Sequence, residues 1–217
     1  MYVDLMSLCI VIPTMSRSSN GLDYVKETLA KNKSILQKYP TCVYVNEADK
    51  TILEPLIEGY TIIPRVNHDD KLPEKNKSDY EYWRTHLCAD FMYCLSEAVR
   101  LHPECENFMW LEDDVLLHPR FDQIWDARKG FKWTSSGHGA TCVVSTKEYL
   151  VKGILPSIEK QWLAPEALPL DWMYRHFAPK TLLRETVAFH IGIQSTRENV
   201  TRVENDRARY ERLVSPN

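Results

Sequence analysis

Residues 108–115 read Phe-Met-Trp-Leu-Glu-Asp-Asp-Val, an apolar run that ends in three consecutive carboxylates. The apolar half is typical of a buried strand, and an apolar pattern resumes at Val115, which disfavours an exposed acidic turn. Adjacent negative charges beside a core repel one another unless a cation or hydrogen-bond donors meet them. Carboxylate oxygens suit Mg²⁺ and Mn²⁺, which often share their coordination with substrate phosphates. The segment therefore predicts a strand with a metal site at its carboxyl end.

Strand-like and helix-like patterns alternate on both sides of this segment, which predicts an α/β domain with a three-layer architecture. The clearest helix is expected over 78–101, where a capping box precedes an apolar face at helical spacing. Further helices are expected over 20–36 and 145–152 and from residue 169, and a loop over 67–77. The predicted strands lie at residues 8–12, 41–45, 60–63, 108–111, 141–144 and 187–193.

Composition limits the class of protein. The chain has 217 residues, 44% of them hydrophobic, which is enough for one substantial core. A net charge of −3 argues against a broadly basic surface for nucleic acid. The six cysteines form no C-x-x-C pair, so we expect free thiols in a reducing compartment. The apolar run at 5–13 is shorter than the ~20 residues that span a bilayer, so we expect no transmembrane segment and a cytoplasmic location.

Polar side chains follow several predicted strands. Thr14 and Arg17 come after the first strand, Glu47 after the second and Arg65 after the third. Ligands of such folds gather at the carboxyl ends of the strands, so these residues should meet the acidic triplet at one edge. Arginine can bind a diphosphate with two parallel hydrogen bonds, which makes Arg17, Arg65 and Arg84 candidate phosphate ligands. Ordinary surface ion pairs are the alternative for all three.

The acidic triplet and the strands before it resemble the nucleotide-sugar glycosyltransferases of the GT-A fold. Residues 9–17 resemble the first strand of that family and the turn that cups the uridine, and 43–47 resemble its second strand. The resemblance extends over 8–195 and is closest to small chlorella-virus glycosyltransferase domains, and more distant to the N-acetylglucosaminyltransferase IV group. It implies one GT-A, Rossmann-like domain over 1–195, with a mixed, mostly parallel sheet flanked by helices. A polar C-terminal helix or linker is expected over 196–217.

The resemblance also implies roles for individual residues. Asp114 corresponds to the metal ligand, Asp113 to the carboxylate on the ribose side, and Glu112 to the first acid of the motif. His190 resembles a C-terminal histidine that reaches the metal or the pyrophosphate, although a hydrogen-bonded core histidine is an equal alternative. The acid at the end of the second strand, Glu47, would lie near the base.

Two further segments are candidates for the sugar and acceptor side. Gly137 and His138 lie in a glycine-bracketed turn, where glycine permits close approach of the backbone, and an ordinary loop is the alternative. Asp171 resembles an acid that follows the acceptor loop in the family, with Glu166 before it. An inverting enzyme needs such a carboxylate as a general base, whereas a retaining enzyme does not. Asp171 could equally cap a helix.

These features imply a metal-dependent hexosyltransferase that uses Mn²⁺ or Mg²⁺. It would move a hexose-type sugar from a UDP-glucose-like or UDP-rhamnose-like donor to a glycan hydroxyl. By resemblance it would be a viral protein that acts in the host cytoplasm, and it could be part of a longer polypeptide with further domains. One alternative is a non-catalytic module that binds a nucleotide or a glycan. Another is a metal-dependent phosphohydrolase or nucleotidyltransferase, for which the chain offers no glycine-rich phosphate loop.

Overall fold

A computed structural model of the chain describes residues 8–14, 21–68, 79–127, 133–135, 142–162, 187–192 and 200–215. The strands in these ranges are β1 Leu8–Pro13, β2 Thr41–Val45, β3 Thr61–Pro64, β4 Asn107–Leu111, β5 Val115–Leu117, β6 Trp133–Ser135, β7 Cys142–Thr146 and β8 Ala188–His190. Six of them form a central sheet in the order β3-β2-β1-β4-β7-β6, and β5 pairs with β8 in a separate two-stranded ribbon.

The four strands β3, β2, β1 and β4 are parallel, and β7 lies antiparallel to β4. The carboxyl ends of β1, β2, β3 and β4 therefore meet at one edge of the sheet. This arrangement is the mixed, mostly parallel sheet that the family resemblance implies, and the fold class is confirmed.

Helices cover both faces of the central sheet. The helices in the described ranges are α1 Gly21–Leu36, α2 Glu47–Ile57, α3 Asp79–Leu101, α4 Phe121–Asp126, α5 Lys147–Tyr149, a π-helical segment Leu150–Ile154, α6 Leu155–Trp162 and α7 Val200–Val214. Side chains alternate between the faces of a strand, so Phe108 and Trp110 pack towards α3 whereas Met109 and Leu111 pack towards α1 and α2. Both faces of β4 are buried, which explains its continuous apolar run.

Several elements differ from the sequence-based expectations. The helix predicted over 145–152 starts at Lys147, because Ser145 and Thr146 belong to β7, and the helical stretch continues to Trp162. Helix α2 has no predicted counterpart because Pro55 lies inside it, and proline usually ends a helix. Its start is well defined, since the side chain of Asn46 accepts a hydrogen bond from the amide of Asp49 at 2.7 Å. The predicted helix start near 169 and most of the predicted loop over 67–77 lie outside the described residues.

One side chain of α1 forms two hydrogen bonds with the backbone of β5, in addition to the apolar packing between these elements. Asn32, fully buried on α1, donates from Nδ2 to the carbonyl of Val115 at 2.9 Å and accepts from the amide of Leu117 at 2.8 Å. The asparagine amide thus bonds to the edge of β5 as a neighbouring strand would. Because β5 follows the acidic turn directly, this clamp fixes the position of the turn relative to α1.

Helix α7 packs on the ribbon and on α1. Tyr210 contacts Phe189 of β8, with ring centroids 5.8 Å apart. Arg207 donates two hydrogen bonds to the carboxylate of Glu27, at 2.8 and 2.9 Å. In the part of the chain that the structure describes, no helix combines the length and the apolar character needed to cross a bilayer.

Candidate active site

The acidic triplet forms the turn between β4 and β5, and its last two carboxylates are buried. Asp113 is 2% exposed and Asp114 is 0% exposed, while Glu112 is partly buried. The apolar strands on both sides draw the turn into the protein, so the triplet is not an exposed acidic turn. Burial of charged carboxylates is unfavourable unless other groups compensate the charge, so this turn is a candidate cation site.

The β5–β8 ribbon brings His190 to the acidic turn. Val115 and His190 are register partners, and the amide of Ile191 donates to the carbonyl of Asp114 at 2.8 Å. The Nε2 atom of His190 consequently lies 3.2 Å from Oδ2 of Asp114. Each member of the set Glu112, Asp114 and His190 offers one ligand atom, and these three atoms lie within 4.8 Å of one another. Three residues that the sequence places in two distant segments therefore form one cluster.

Gly192 is a site residue that sequence reasoning missed. A β-carbon at this position would lie 2.0 Å from Oδ2 and 2.7 Å from Cγ of Asp114, far inside van der Waals contact. Only glycine leaves room for the carboxylate, so Gly192 is a steric requirement for the position of Asp114. The signal was a glycine two residues after His190 at the end of a strand pattern, where glycine often marks close approach of another group.

The donor set of the cluster fits a divalent cation. Two carboxylates and one imidazole supply one ligand atom each at mutual distances that one ion can bridge, and the space beside Gly192 accommodates the Asp114 carboxylate. The imidazole makes the set softer than the all-oxygen sets that Mg²⁺ prefers. Cys142 lies near Glu112, and burial together with the charge of Glu112 raises its pKa to about 12.

Thr14 lies at the carboxyl end of β1, on the same edge as the acidic turn. It is 1% exposed, and both its amide and its hydroxyl donate to the carbonyl of Tyr44 at 2.8 Å. These two hydrogen bonds connect Thr14 to β2 and fix the position of the end of β1.

A buried polar network continues along this edge. The Tyr44 hydroxyl donates to Oδ1 of Asp90 at 2.7 Å and accepts from the amide of Val66 at 3.1 Å. Burial, and then the hydrogen bond with Asp90, raise the pKa of Tyr44. Arg65 Nη2 lies 3.6 Å from Oδ2 of Asp90, and His68 Nε2 lies 3.3 Å from Oδ1. Asp90, which sequence reasoning did not select, thus connects α3 to the segment after β3.

This network and the acidic turn lie on the same edge but at different strands. Arg65 follows β3 and Glu112 follows β4, and β2 and β1 lie between them. Three strand spacings of about 4.8 Å place the two groups roughly 14 Å apart along the edge. Arg65 retains 28% side-chain exposure, so its side chain is partly accessible to solvent.

Glu47 is the first residue of α2, and its side chain is 84% exposed. Its carboxylate lies 3.2 Å from Nζ of Lys50, one turn along the helix. The residue lies at the predicted edge, but its described contact is an exposed ion pair. Arg84 belongs to α3, and the position of its side chain is not described. The remaining predicted site residues lie outside the described residues: Arg17, Gly137, His138, Glu166 and Asp171.

Comparison with known proteins supports the fold. No model of a protein family matches the chain, and no curated protein matches it. Among solved structures, it is similar to a glycosyltransferase involved in the glycosylation of the major capsid of PBCV-1, with a TM-score of 0.52 and 11% identity over 93% of this chain and 99% of the other. This likeness shows a GT-A-like fold, as the resemblance to that family implies.

A second solved structure, a 4-diphosphocytidyl-2C-methyl-D-erythritol synthase from Anaerococcus prevotii DSM 20548, aligns at a TM-score of 0.49 and 12% identity. The alignment covers 92% of this chain and 98% of the synthase.

Proposed function

We propose that this protein is a metal-dependent glycosyltransferase that transfers a hexose-type sugar from a UDP-sugar to a hydroxyl group of a glycan. The observation that carries the proposal is the cluster of Glu112, Asp114 and His190 at the carboxyl edge of the sheet. Donor substrates of α/β folds bind at this edge. The GT-A-like fold, shared with a viral glycosyltransferase, supports the same activity.

Asp114 and His190 would hold the cation, with Glu112 as a third ligand or as a ligand of bound water. When bound, the divalent ion supplies positive charge that offsets the charge of a nucleoside diphosphate leaving group. The imidazole and the carboxylate of this mixed set favour Mn²⁺ over Mg²⁺. The protein contributes position: β4, the ribbon and Gly192 hold Asp114 in one place before a donor arrives.

The nucleoside would lie along the edge from the acidic turn towards β3. Asp113 would accept hydrogen bonds from ribose hydroxyls, and Thr14 would line the floor beneath the nucleoside. Arg65, held by Asp90, would bind the base or a phosphate oxygen at the far end. The span of roughly 14 Å between Arg65 and the acidic turn is one that a base, ribose and diphosphate together can bridge. Glu47, Arg17 and Arg84 are further proposed ligands of the donor.

Gly137 and His138 would approach the donor sugar, and Asp171 is the proposed general base, with Glu166 behind it. In an inverting reaction, Asp171 would take the proton of the acceptor hydroxyl as that oxygen attacks the anomeric carbon. In a retaining reaction, the departing diphosphate can take the proton, and Asp171 would position the acceptor. UDP-glucose-like and UDP-rhamnose-like donors are the proposed substrates.

The direct test is release of UDP from a panel of UDP-sugars, with and without Mn²⁺. The wild type should release UDP from one donor, and chelation should abolish the release. Asp114→Asn should lose at least 100-fold in kcat/KM and His190→Gln at least 10-fold, since each removes a charge or a ligand at the cation.

Two matched variants serve as controls. Asp122→Asn alters a carboxylate that pairs with Lys38 and Tyr39 on the surface, and His118→Gln alters a histidine at the other end of the ribbon. Both should retain the activity of the wild type. Turnover without metal, or full activity in Asp114→Asn, would refute the proposal. Binding of a UDP-sugar with no turnover would identify a non-catalytic module instead.

A further inference from the structure

A second cluster of potential metal ligands lies at the opposite edge of the sheet. Cys9 and Cys42 are the second residues of the parallel strands β1 and β2, and His102 follows the last residue of α3. One ligand atom from each lies within 4.8 Å of the others. Cys9 lies five residues before Thr14, so this cluster is roughly 16 Å along β1 from the edge that carries the acidic turn.

The geometry of the two thiols suits a tetrahedral ion. Their sulfur atoms are 3.9 Å apart. Two zinc–sulfur bonds of about 2.3 Å at a tetrahedral angle place the sulfurs about 3.8 Å apart, whereas a disulfide requires about 2.05 Å. Both cysteines are fully buried, on strands whose backbone positions are fixed by the sheet. The thiols are therefore held at the separation that zinc requires.

His102 has the second contact that ligating histidines typically make. Its Nδ1 lies 3.1 Å from the carboxylate of Glu104, which favours a proton on Nδ1. That tautomer leaves the lone pair on Nε2, where the hydroxyl of Thr61 lies 3.0 Å away. A hydroxyl can rotate to another acceptor, so Nε2 can exchange this contact for a metal. The imidazole is 18% exposed, which provides a route for an ion from solvent.

The charge of the cluster suits a bound divalent ion. A cysteine binds a metal as the thiolate, so each thiol gives up its proton on coordination. Coordination replaces the two thiol protons by one divalent ion, and two thiolates with a neutral imidazole then give a site of zero net charge. Such neutrality suits a fully buried position.

We propose that Cys9, Cys42 and His102 form a structural zinc site, separate from the cluster of Glu112, Asp114 and His190. The ion would join β1 and β2 to the connection between α3 and β4. The S–H group of Cys105 would donate to the sulfur of Cys9, and the fourth coordination position would lie on the exposed side of His102. Occupancy stabilises the folded state because the unfolded chain does not hold these three ligands together.

The test is titration of the reduced, metal-free protein with Co²⁺, a spectroscopic substitute for Zn²⁺. We expect a thiolate-to-cobalt charge-transfer band and tetrahedral d–d bands that saturate at one equivalent and disappear when Zn²⁺ is added. Cys42→Ser should lose the charge-transfer band. His102→Gln, which alters a partly exposed side chain and should fold, should weaken cobalt binding at least 10-fold. Zn²⁺ should raise the Tm of the wild type more than that of His102→Gln.

Two controls separate this site from the acidic cluster. Asp114→Asn and Cys142→Ser should both keep the charge-transfer band, because neither residue belongs to the thiol cluster. His102→Gln should retain Mn²⁺-dependent UDP release, so failure of one proposal is distinguishable from failure of the other. Absence of the charge-transfer band from the reduced wild type would overturn the zinc proposal, as would an equal band in folded His102→Gln and wild type at all cobalt concentrations.

Discussion

Gly192 lies against the carboxylate of Asp114 so closely that a β-carbon on the glycine would be 2.0 Å from Oδ2. Gly192→Ala should therefore displace the Asp114 carboxylate from His190 and weaken Mn²⁺ binding at least 10-fold. Isothermal titration with Mn²⁺ measures the change. Gly153→Ala is the matched control, since its β-carbon would meet the Tyr149 ring at an ordinary 3.4 Å, and it should bind Mn²⁺ like the wild type. Equal affinity in the two variants would contradict the steric role of Gly192.

Asn32 holds β5 through two hydrogen bonds to its backbone. Asn32→Ala leaves the carbonyl of Val115 and the amide of Leu117 without these partners, and each buried group costs about 1–3 kcal/mol. We expect a loss of roughly 2–6 kcal/mol in the free energy of unfolding, measured by urea denaturation. Mn²⁺ binding should also weaken, because Val115 adjoins Asp114.

Thr28 provides the control on the same helix. It lies one turn before Asn32, is fully buried, and its hydroxyl makes no hydrogen bond among the described residues. Thr28→Val removes that hydroxyl at nearly constant volume, so stability should stay the same or increase. If Thr28→Val lost as much free energy of unfolding as Asn32→Ala, this part of α1 would be sensitive to any substitution. The two hydrogen bonds of Asn32 would then not explain the loss in Asn32→Ala.

The Tyr44 hydroxyl connects β2 to Asp90 and to the segment after β3. Tyr44→Phe removes a hydrogen bond to a buried carboxylate, which is worth about 1.5–3 kcal/mol, and should weaken UDP binding because Asp90 also holds Arg65. Tyr39→Phe removes a comparable tyrosine–aspartate hydrogen bond near the surface, with Asp122 at 3.0 Å, and should leave UDP binding unchanged. Urea denaturation and UDP titration of both variants measure the difference. If UDP affinity is the same in both, the network does not support the donor site.

The contact between α7 and α1 should depend on pH through Glu27. Burial alone would raise the pKa of Glu27, but hydrogen bonds from Arg207 and Lys31 outweigh it and lower that pKa below the ordinary 4.5. A carboxyl whose pKa is lower in the folded state stabilises the protein above its unfolded pKa, and the contribution is lost as pH falls through the folded value. Glu27→Gln should thus have a lower Tm than the wild type near neutral pH.

The difference in Tm should shrink below about pH 4.5. Because the pair is partly exposed, we expect about 1 kcal/mol or less. Glu148→Gln, in an exposed pair with Lys152, should leave Tm nearly unchanged at every pH. A wild-type advantage over Glu27→Gln that persists at pH 2–3 would mean that packing, not charge, is responsible.

The parts of the fold that the sequence predicts are those where a local pattern and the tertiary environment agree. Strand β2 was predicted at its observed bounds because both of its faces are buried, and α3 was predicted because its apolar face meets the sheet. Strand β5 has only three residues, too few to show a period, and it exists because Asn32 and β8 supply its hydrogen bonds. Helix α2 also has no predicted counterpart, because Pro55 disfavours a helix interior and the packing of α2 overrides that local preference.

The residues of the candidate site fall into the same two groups: those that a local sequence pattern indicates and those that depend on distant contacts. Consecutive carboxylates after an apolar run are a local signal, so Glu112, Asp113 and Asp114 could be selected as candidates from the sequence. Gly192 and Asp90 matter through distant contacts, with Asp114 and with Tyr44 respectively. No periodicity or spacing encodes such contacts, because they depend on which segments the topology brings together.

The pairing of β5 with β8 has a consequence for biosynthesis. A ribosome synthesises the acidic turn well before His190 and Gly192. Asp114 therefore lacks these two neighbours while the intervening chain is made. During that interval the residues of the four parallel strands have already been synthesised, but the cluster of Glu112, Asp114 and His190 is incomplete. The cluster of Glu112, Asp114 and His190 therefore forms late, once β8 has been made and has paired with β5.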